Sequence, residues 1–140
     1  KSSIATFEEE VMSEEEIKNR IKDVSKDYPW IVYEDSGKVS GYAYATKWKE
    51  RNAYRFTAEI AVYVENGNER KGIGTELLKN LIELSKEKGL HKLIAGIALP
   101  NEASITLHER SGFEKCAHFK QSGYKFGKWI DVGYWEKILS

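Results

Sequence analysis

The sequence predicts an α/β domain built on a mixed sheet. Three observations carry that prediction. Phe56, Ile60, Val62 and Val64 fall on alternate positions, the period-two pattern of a strand. Leu77, Leu78, Leu81, Ile82 and Ser85 instead share one stripe of a helix. Read along the chain, the order is helix, three strands, helix, strand, helix, two strands, which interleaves the two types as a layered sheet-and-helix domain does.

The first predicted element is a helix over Ser13 to Lys26. Ser13-x-x-Glu16 forms a capping box, Glu14 and Glu15 suit the positive helix end, and Ile17, Ile21 and Val24 recur at helical spacing. Asp27-Tyr28-Pro29 stops it, because the residue before a proline avoids helical angles. Trp30 to Glu34 and Val39 to Thr46 are β-rich and flank the turn residues Asp35 to Lys38, which reads as a hairpin. Trp48 to Tyr54 reads as an ordered loop. A strand over Arg55 to Val64 follows and is broken by Glu65-Asn66-Gly67-Asn68. Gly72-Ile73-Gly74 opens the next helix, and Gly89 stops it after Lys86 and Lys88, which suit its negative end. Lys92 to Leu99 is an apolar run of strand length. Glu102 to Ser111 reads as a short helix between the Pro100-Asn101 break and Gly112. Two strands close the chain, Phe113 to Gln121 and Trp129 to Leu139, about a turn near Gly123 to Gly127. A length of 140 residues suits one core, so a single domain over residues 1–140 is expected.

Composition narrows the function. Lys+Arg and Asp+Glu both number 22, so there is no basic surplus for phosphate backbones, and nucleic acid is not expected as a partner. No apolar run approaches the roughly 20 residues of a membrane helix, so no membrane partner is expected. Lys1-Ser2-Ser3 leads into an acidic stretch with no apolar signal segment. Cys116 is the single cysteine, which excludes an internal disulfide and a Cys-based zinc site and fits a reducing cytoplasm. His91, His108 and His118 are not spaced as a metal-binding pair on one helix face, so no metal is expected. The chain does not begin with Met.

The most informative segment runs from a strand through Glu69-Arg70-Lys71-Gly72-Ile73-Gly74-Thr75 into a helix. A helix start presents unpaired N–H groups and partial positive charge, and glycines there let a phosphate approach the backbone. The junction therefore reads as an anion cradle, flanked by Arg70 and Lys71, or as a plain helix start with turn glycines. It is not a P-loop: Gly67 and Gly72 have the right spacing, but Ile73-Gly74 stands where Lys-Ser/Thr must follow. Nor is it a dinucleotide fingerprint, since Leu77 occupies the third glycine position.

Glu69-x-x-Gly72-x-Gly74 resembles the coenzyme A pyrophosphate loop of the GNAT acetyltransferases, with Glu69 in place of the family's Gln or Arg. The resemblance extends through Asn52-Ala53-Tyr54-x-x-Thr57-Ala58-Glu59, Val62-Tyr63-Val64, Leu99-Pro100-Asn101-x-x-Ser104, Leu107-His108-Glu109-x-x-Gly112 and Gly123 to Trp135. These motifs, in this order, resemble the phosphinothricin acetyltransferase branch. The resemblance implies a mixed, mostly antiparallel twisted sheet flanked by helices, with the family's first strand and helix preceding Lys1. It implies acetyl-CoA as cosubstrate, a small amino-acid-like amine of the phosphinothricin or methionine sulfoximine/sulfone type as acceptor, and a homodimer formed through the C-terminal strands.

Acetyl transfer to an amine requires removal of a proton, polarisation of the thioester and departure of a thiolate. Glu59 lies on the strand before the cradle and shares a face with Ala61 and Tyr63, opposite Ile60, Val62 and Val64. A carboxylate in mid-sheet is costly unless it faces a cleft or a partner. The resemblance makes Glu59 the general base, against an edge-strand surface glutamate. His108 stands where many of these enzymes carry a tyrosine that protonates the thiolate; it is a second proton-handling residue or a helix-surface histidine. Sequence leaves open which of the two does the main proton work. By resemblance, coenzyme A is held by Val62, Tyr63, Val64, Arg70, Lys71, Gly72, Ile73, Gly74, Thr75, Asn101 and Ser104. Asn101 serves equally as a turn residue after Pro100. Phe7, Tyr44, Lys49, Arg51, Asn52 and Tyr54 are implied in the acceptor pocket, with Lys49 and Arg51 holding an acid group. Trp129, Tyr134 and Trp135 read as core or dimer contacts. The alternatives are a peptide or protein amine as acceptor, an acyl-CoA-binding module without catalysis, and a fragment that folds only with a partner.

Overall fold

The computed structural model describes residues 28–65 and 72–139. The predicted first helix, Phe7, Glu69, Arg70 and Lys71 lie outside the described residues. Six strands form one sheet: β1 (Trp30–Asp35), β2 (Lys38–Lys47), β3 (Thr57–Val64), β4 (Lys92–Ala98), β5 (Glu114–Lys125) and β6 (Lys128–Ile138). Their spatial order is β1-β2-β3-β4-β6-β5. All neighbours are antiparallel except β3 and β4, which run parallel and are joined across α1 (Ile73–Glu87). The second described helix, α2 (Glu102–Arg110), joins β4 to β5, and a 3₁₀ turn over Asn52–Tyr54 interrupts the loop before β3.

The periodicities set the layers. Helix α1 buries Ile73, Leu77, Leu78, Leu81, Ile82 and Ser85, the stripe expected from its spacing. That stripe packs on Ala43, Ala45, Ala58, Ile60, Leu93, Ala95, Ile97 and Trp135, the same-face positions of the four central strands. Small alanines under the helix leave room for its leucines, so the two layers approach closely. Helix α2 lies on the same side: Ile105 and Leu107 pack against this core, and Trp135 Nε1 donates to Glu109 Oε2 at 3.0 Å. The opposite face carries a stack of Trp30, Tyr42, Tyr44 and Tyr63, with Trp30 and Tyr44 ring centres 4.5 Å apart. Among the described residues no helix is long and apolar enough to cross a membrane.

One boundary differs from expectation. Strand β5 runs on to Lys125, and its turn to β6 shrinks to Phe126-Gly127, both at positive φ (54° and 75°). That pair matches the two-residue hairpin turn whose twist fits antiparallel strands. Gly123 lies inside β5, where the ladder slips between Phe119 and Gly123 and Gln121 takes a positive φ of 51°. The glycine marks a bulge, not the turn.

Leu78 is fully buried between α1 and the sheet. Leu78→Ala is therefore expected to cost about 2–5 kcal/mol in chemical denaturation, and a loss under about 1 kcal/mol would contradict this core.

Candidate active site

The site begins where the sheet splits. Pairing of β3 with β4 runs from Thr57↔Lys92 to Ile60↔Ala95 and ends there. Beyond it, Ala61 to Val64 stay paired to β2, and Gly96 to Ala98 stay paired to β6. The two halves of the sheet thus part as a fork. Among the described residues no strand pairs with the β4-facing edge at Val62 and Val64, which suits it to main-chain bonds with a ligand.

The mouth of the fork holds a cavity of about 420 Å³. Val62, Tyr63 and Val64 line it from β3, Gly72, Gly74 and Thr75 from the start of α1, and Asn101 and Ser104 from the start of α2. Eight of the predicted cofactor residues therefore meet at one place. Ile73 does not join them; it turns into the core between the two glycines. Gly72 adopts φ 78°, a left-handed conformation that glycine takes without strain. Among the described residues no side chain caps α1 there, which suits its first N–H groups to an anion. A Cβ on Gly74 would lie 3.3 Å from Leu107 Cδ2 and 3.6 Å from Val64 Cγ2. The glycine lets the start of α1 nest between α2 and β3.

Asn101 is placed so that either reading the sequence left open is possible. Its Oδ1 accepts the Ser104 N–H at 3.1 Å and caps α2, while the residue still lines the cavity. Ala103, Thr106, Leu107 and Arg110 also line it and were not foreseen. Their spacing, i, i+3, i+4 and i+7, is one helix face, a signal available once α2 is assigned.

Glu59 stands at the base of the fork on the face away from both helices. It is half-buried, opposite Thr46 on β2 and Ile94 on β4. Burial holds its carboxyl above the ordinary value of 4.5, and the charge of Lys49 acts against that rise. Gly96 is the first β4 residue past the last β3 pair, and Glu59 Oε2 lies 3.6 Å from where its Cβ would stand.

His108 is buried, at 3% exposure, and stacks edge-on against Phe113 on the helix side of the sheet. Its Nδ1 is 2.8 Å from the Ser104 carbonyl, which only accepts, so Nδ1 carries the proton and Nε2 the lone pair. Burial pushes its pKa below 6.5, against the effect of that hydrogen bond, so the ring is neutral near pH 7. No hydrogen bond or ion pair joins it to Glu59 among the described residues.

The predicted acceptor residues spread more widely. Tyr44 belongs to the aromatic stack beside the Glu59 face. Lys49 lies over the Trp48 ring at 5.2 Å and is near enough to Glu59 to influence its proton. Tyr54 meets Trp48 edge-on at 5.3 Å. Arg51 and Asn52 are exposed, with no side-chain bond tying them to Glu59.

Comparison with known proteins fits this geometry. Residues 2–133 match the family model for the acetyltransferase (GNAT) domain, and the chain belongs to that family. It is similar to the phosphinothricin N-acetyltransferase of Streptomyces viridochromogenes, 38% identical over 97% of this chain and 74% of the relative. It is also similar to the L-methionine sulfoximine/L-methionine sulfone acetyltransferase of Salmonella typhimurium, 40% identical over 80% of this chain and 66% of the relative. The crystal structure of a GNAT superfamily phosphinothricin acetyltransferase from Sinorhizobium meliloti, in complex with acetyl-CoA, superposes with a TM-score of 0.87 at 37% identity, over 98% of this chain and 75% of that one.

The raised Glu59 pKa has a consequence for stability. The folded state holds that proton more tightly than the unfolded chain, so ionisation above the raised pKa penalises folding. Below pH 4.5 both states carry the proton and the penalty vanishes. Glu59→Gln is expected to raise Tm near neutral pH, with the gain closing as pH falls below 4.5. A lowered Tm at neutral pH contradicts it.

Proposed function

We propose that this chain is a single N-acetyltransferase domain that moves an acetyl group from acetyl-CoA to the primary amine of a small amino-acid-like substrate. The observation that carries the reading is the fork. It joins an anion-ready helix start, a free strand edge and a half-buried carboxylate across one parting of the sheet.

The residues present suit coenzyme A. Unpaired N–H groups at Gly72 to Thr75 suit a pyrophosphate, as do Arg70 and Lys71 by sequence. The open edge of Val62 to Val64 suits an amide-bearing arm laid down as an added strand. Asn101, Ser104 and Ile73 complete the cradle, the last by fixing its backbone from within the core. Acetyl-CoA, when bound, supplies the acetyl group as a reactive thioester.

Glu59 does the proton work in this reading. A primary amine reaches the site largely as ammonium, and a carboxylate raised toward neutrality is suited to take its proton. The freed amine attacks directly in a ternary complex, and the further proton it sheds ends on the departing thiolate. His108 is the second proton-handling candidate, since its neutral ring keeps a lone pair on Nε2. The names of the Streptomyces and Salmonella relatives support an acceptor of the phosphinothricin or methionine sulfoximine/sulfone type. Lys49, beside Glu59, suits the acid group of such a substrate, with Arg51, Asn52, Tyr54, Tyr44 and Phe7 shaping the rest. The proposal includes a cytoplasmic location and a homodimer. The edge hairpin β5–β6 exposes Phe119, Tyr124, Phe126 and Trp129, an apolar margin suited to a second copy.

Thiol release from acetyl-CoA over a panel of amino-acid acceptors tests the activity; no release with any primary amine overturns it. Glu59→Gln is expected to lower kcat about 10²–10⁴-fold with the KM for acetyl-CoA unchanged. Parent activity should fall as pH drops through a value above 4.5, the acid limb of Glu59. Sedimentation velocity is expected to give a dimer, and a monomer at micromolar concentration removes that part of the reading.

A further inference from the structure

Glu59 is not alone at the base of the fork. The Cβ that Gly96 lacks would stand 3.0 Å from Tyr134 Cε1, 3.5 Å from Tyr134 Cζ and 3.6 Å from Glu59 Oε2. The Tyr134 ring and the carboxylate of Glu59 thus both lie over Gly96, where the ring occupies the room a side chain would need. The register produces this: Gly96 pairs with Tyr134 across β4 and β6, and Glu59 reaches Gly96 diagonally from its partner Ile94. Phe119 meets the Tyr134 ring edge-on at 5.6 Å and holds it from the β5 side. Neither the Tyr134 hydroxyl nor the Glu59 carboxylate has a hydrogen-bond partner among the described residues. Both are half-buried, and neither is among the fully buried unpartnered groups of the described residues, so both are open to a ligand. Burial raises the Tyr134 pKa, and the Glu59 charge raises it further, so the hydroxyl is protonated and within electrostatic reach of the carboxylate.

We infer that Tyr134 is a second hydrogen-bonding group of the acceptor site, accepting one N–H of the substrate amine at its Oη while Glu59 accepts another. Two fixed acceptors determine the direction of the amine's remaining bonds, which one carboxylate on a flexible side chain does not. The groups facing Glu59 are then Lys49 from the β2–β3 connection and Tyr134 from β6. A phenol is the suitable partner because it stays neutral beside a carboxylate and adds no second negative charge. The inference rests on the acetyltransferase reading and assigns a role to a residue outside the coenzyme A cradle.

Tyr134→Phe keeps the ring against Gly96 and Phe119 and removes only the hydroxyl. It is expected to lower kcat/KM for the amine at least about 10-fold, with the KM for acetyl-CoA unchanged. Because both groups act on one nitrogen, the Glu59→Gln/Tyr134→Phe double variant should be little worse than Glu59→Gln alone. Unchanged kcat/KM in Tyr134→Phe overturns the inference, as does a fully additive loss in the double variant. If Glu59→Gln itself retains full activity, the role of Glu59 fails first; if the parent protein releases no thiol with any primary amine, the acetyltransferase reading fails, and both are distinguishable from a failure of Tyr134 alone.

Discussion

The parting of β3 from β4 is the constraint on which the rest depends. A parallel pair that stayed zipped to Val64 and Ala98 would leave no free edge and no passage between the faces. Here pairing ends at Ile60 and Ala95, and each strand keeps its outer neighbour. The opened wedge is held by packing: Gly74 lets α1 press against Leu107, and Trp135 ties α2 to β6 through Glu109. Sheet twist favours such divergence, since each strand is rotated relative to the next. The helix side of the fork then offers dipoles and amides, and the far side offers a carboxylate and a phenol.

That division of labour explains why charge is tolerated in mid-sheet. Glu59 is expensive where it stands, as its raised pKa records. A protein under pressure for stability alone would replace it with an apolar residue at the matching register. Keeping it is reasonable if the lost stability is recovered as a proton acceptor tuned toward the working pH. His108 is handled differently. Burial and a hydrogen bond to Ser104 hold it neutral in one tautomer, so it also steadies α2 beside Phe113.

Much of this was legible in the sequence, for definite reasons. The α1 stripe and the β3 alternation are strong local periodicities, and both elements appear where the pattern puts them. The glycines at 72 and 74 were readable as a break ahead of the α1 stripe; in the structure Gly72 takes a positive φ and Gly74 packs against Leu107 and Val64. Other features depend on non-local register. Leu93 to Leu99 is apolar throughout, so nothing in it marks where pairing stops. Tyr134 read as a core or dimer contact because its nearness to Glu59 exists only through Gly96↔Tyr134 pairing. The cavity face of α2 is hard to read because Ala103, Thr106, Leu107 and Arg110 mix small, polar and charged residues and make no strong apolar stripe. Gly123 was read as a turn because a bulge glycine and a turn glycine look alike in one sequence.

A crystal structure with acetyl-CoA bound tests the central claim most directly. The account predicts pyrophosphate oxygens within hydrogen-bonding distance of the amides from Gly72 to Thr75, and a thioester carried through the fork to the Gly96 side, facing Glu59. A cosubstrate seated elsewhere, or one whose thioester stays on the helix face turned away from Glu59, contradicts it.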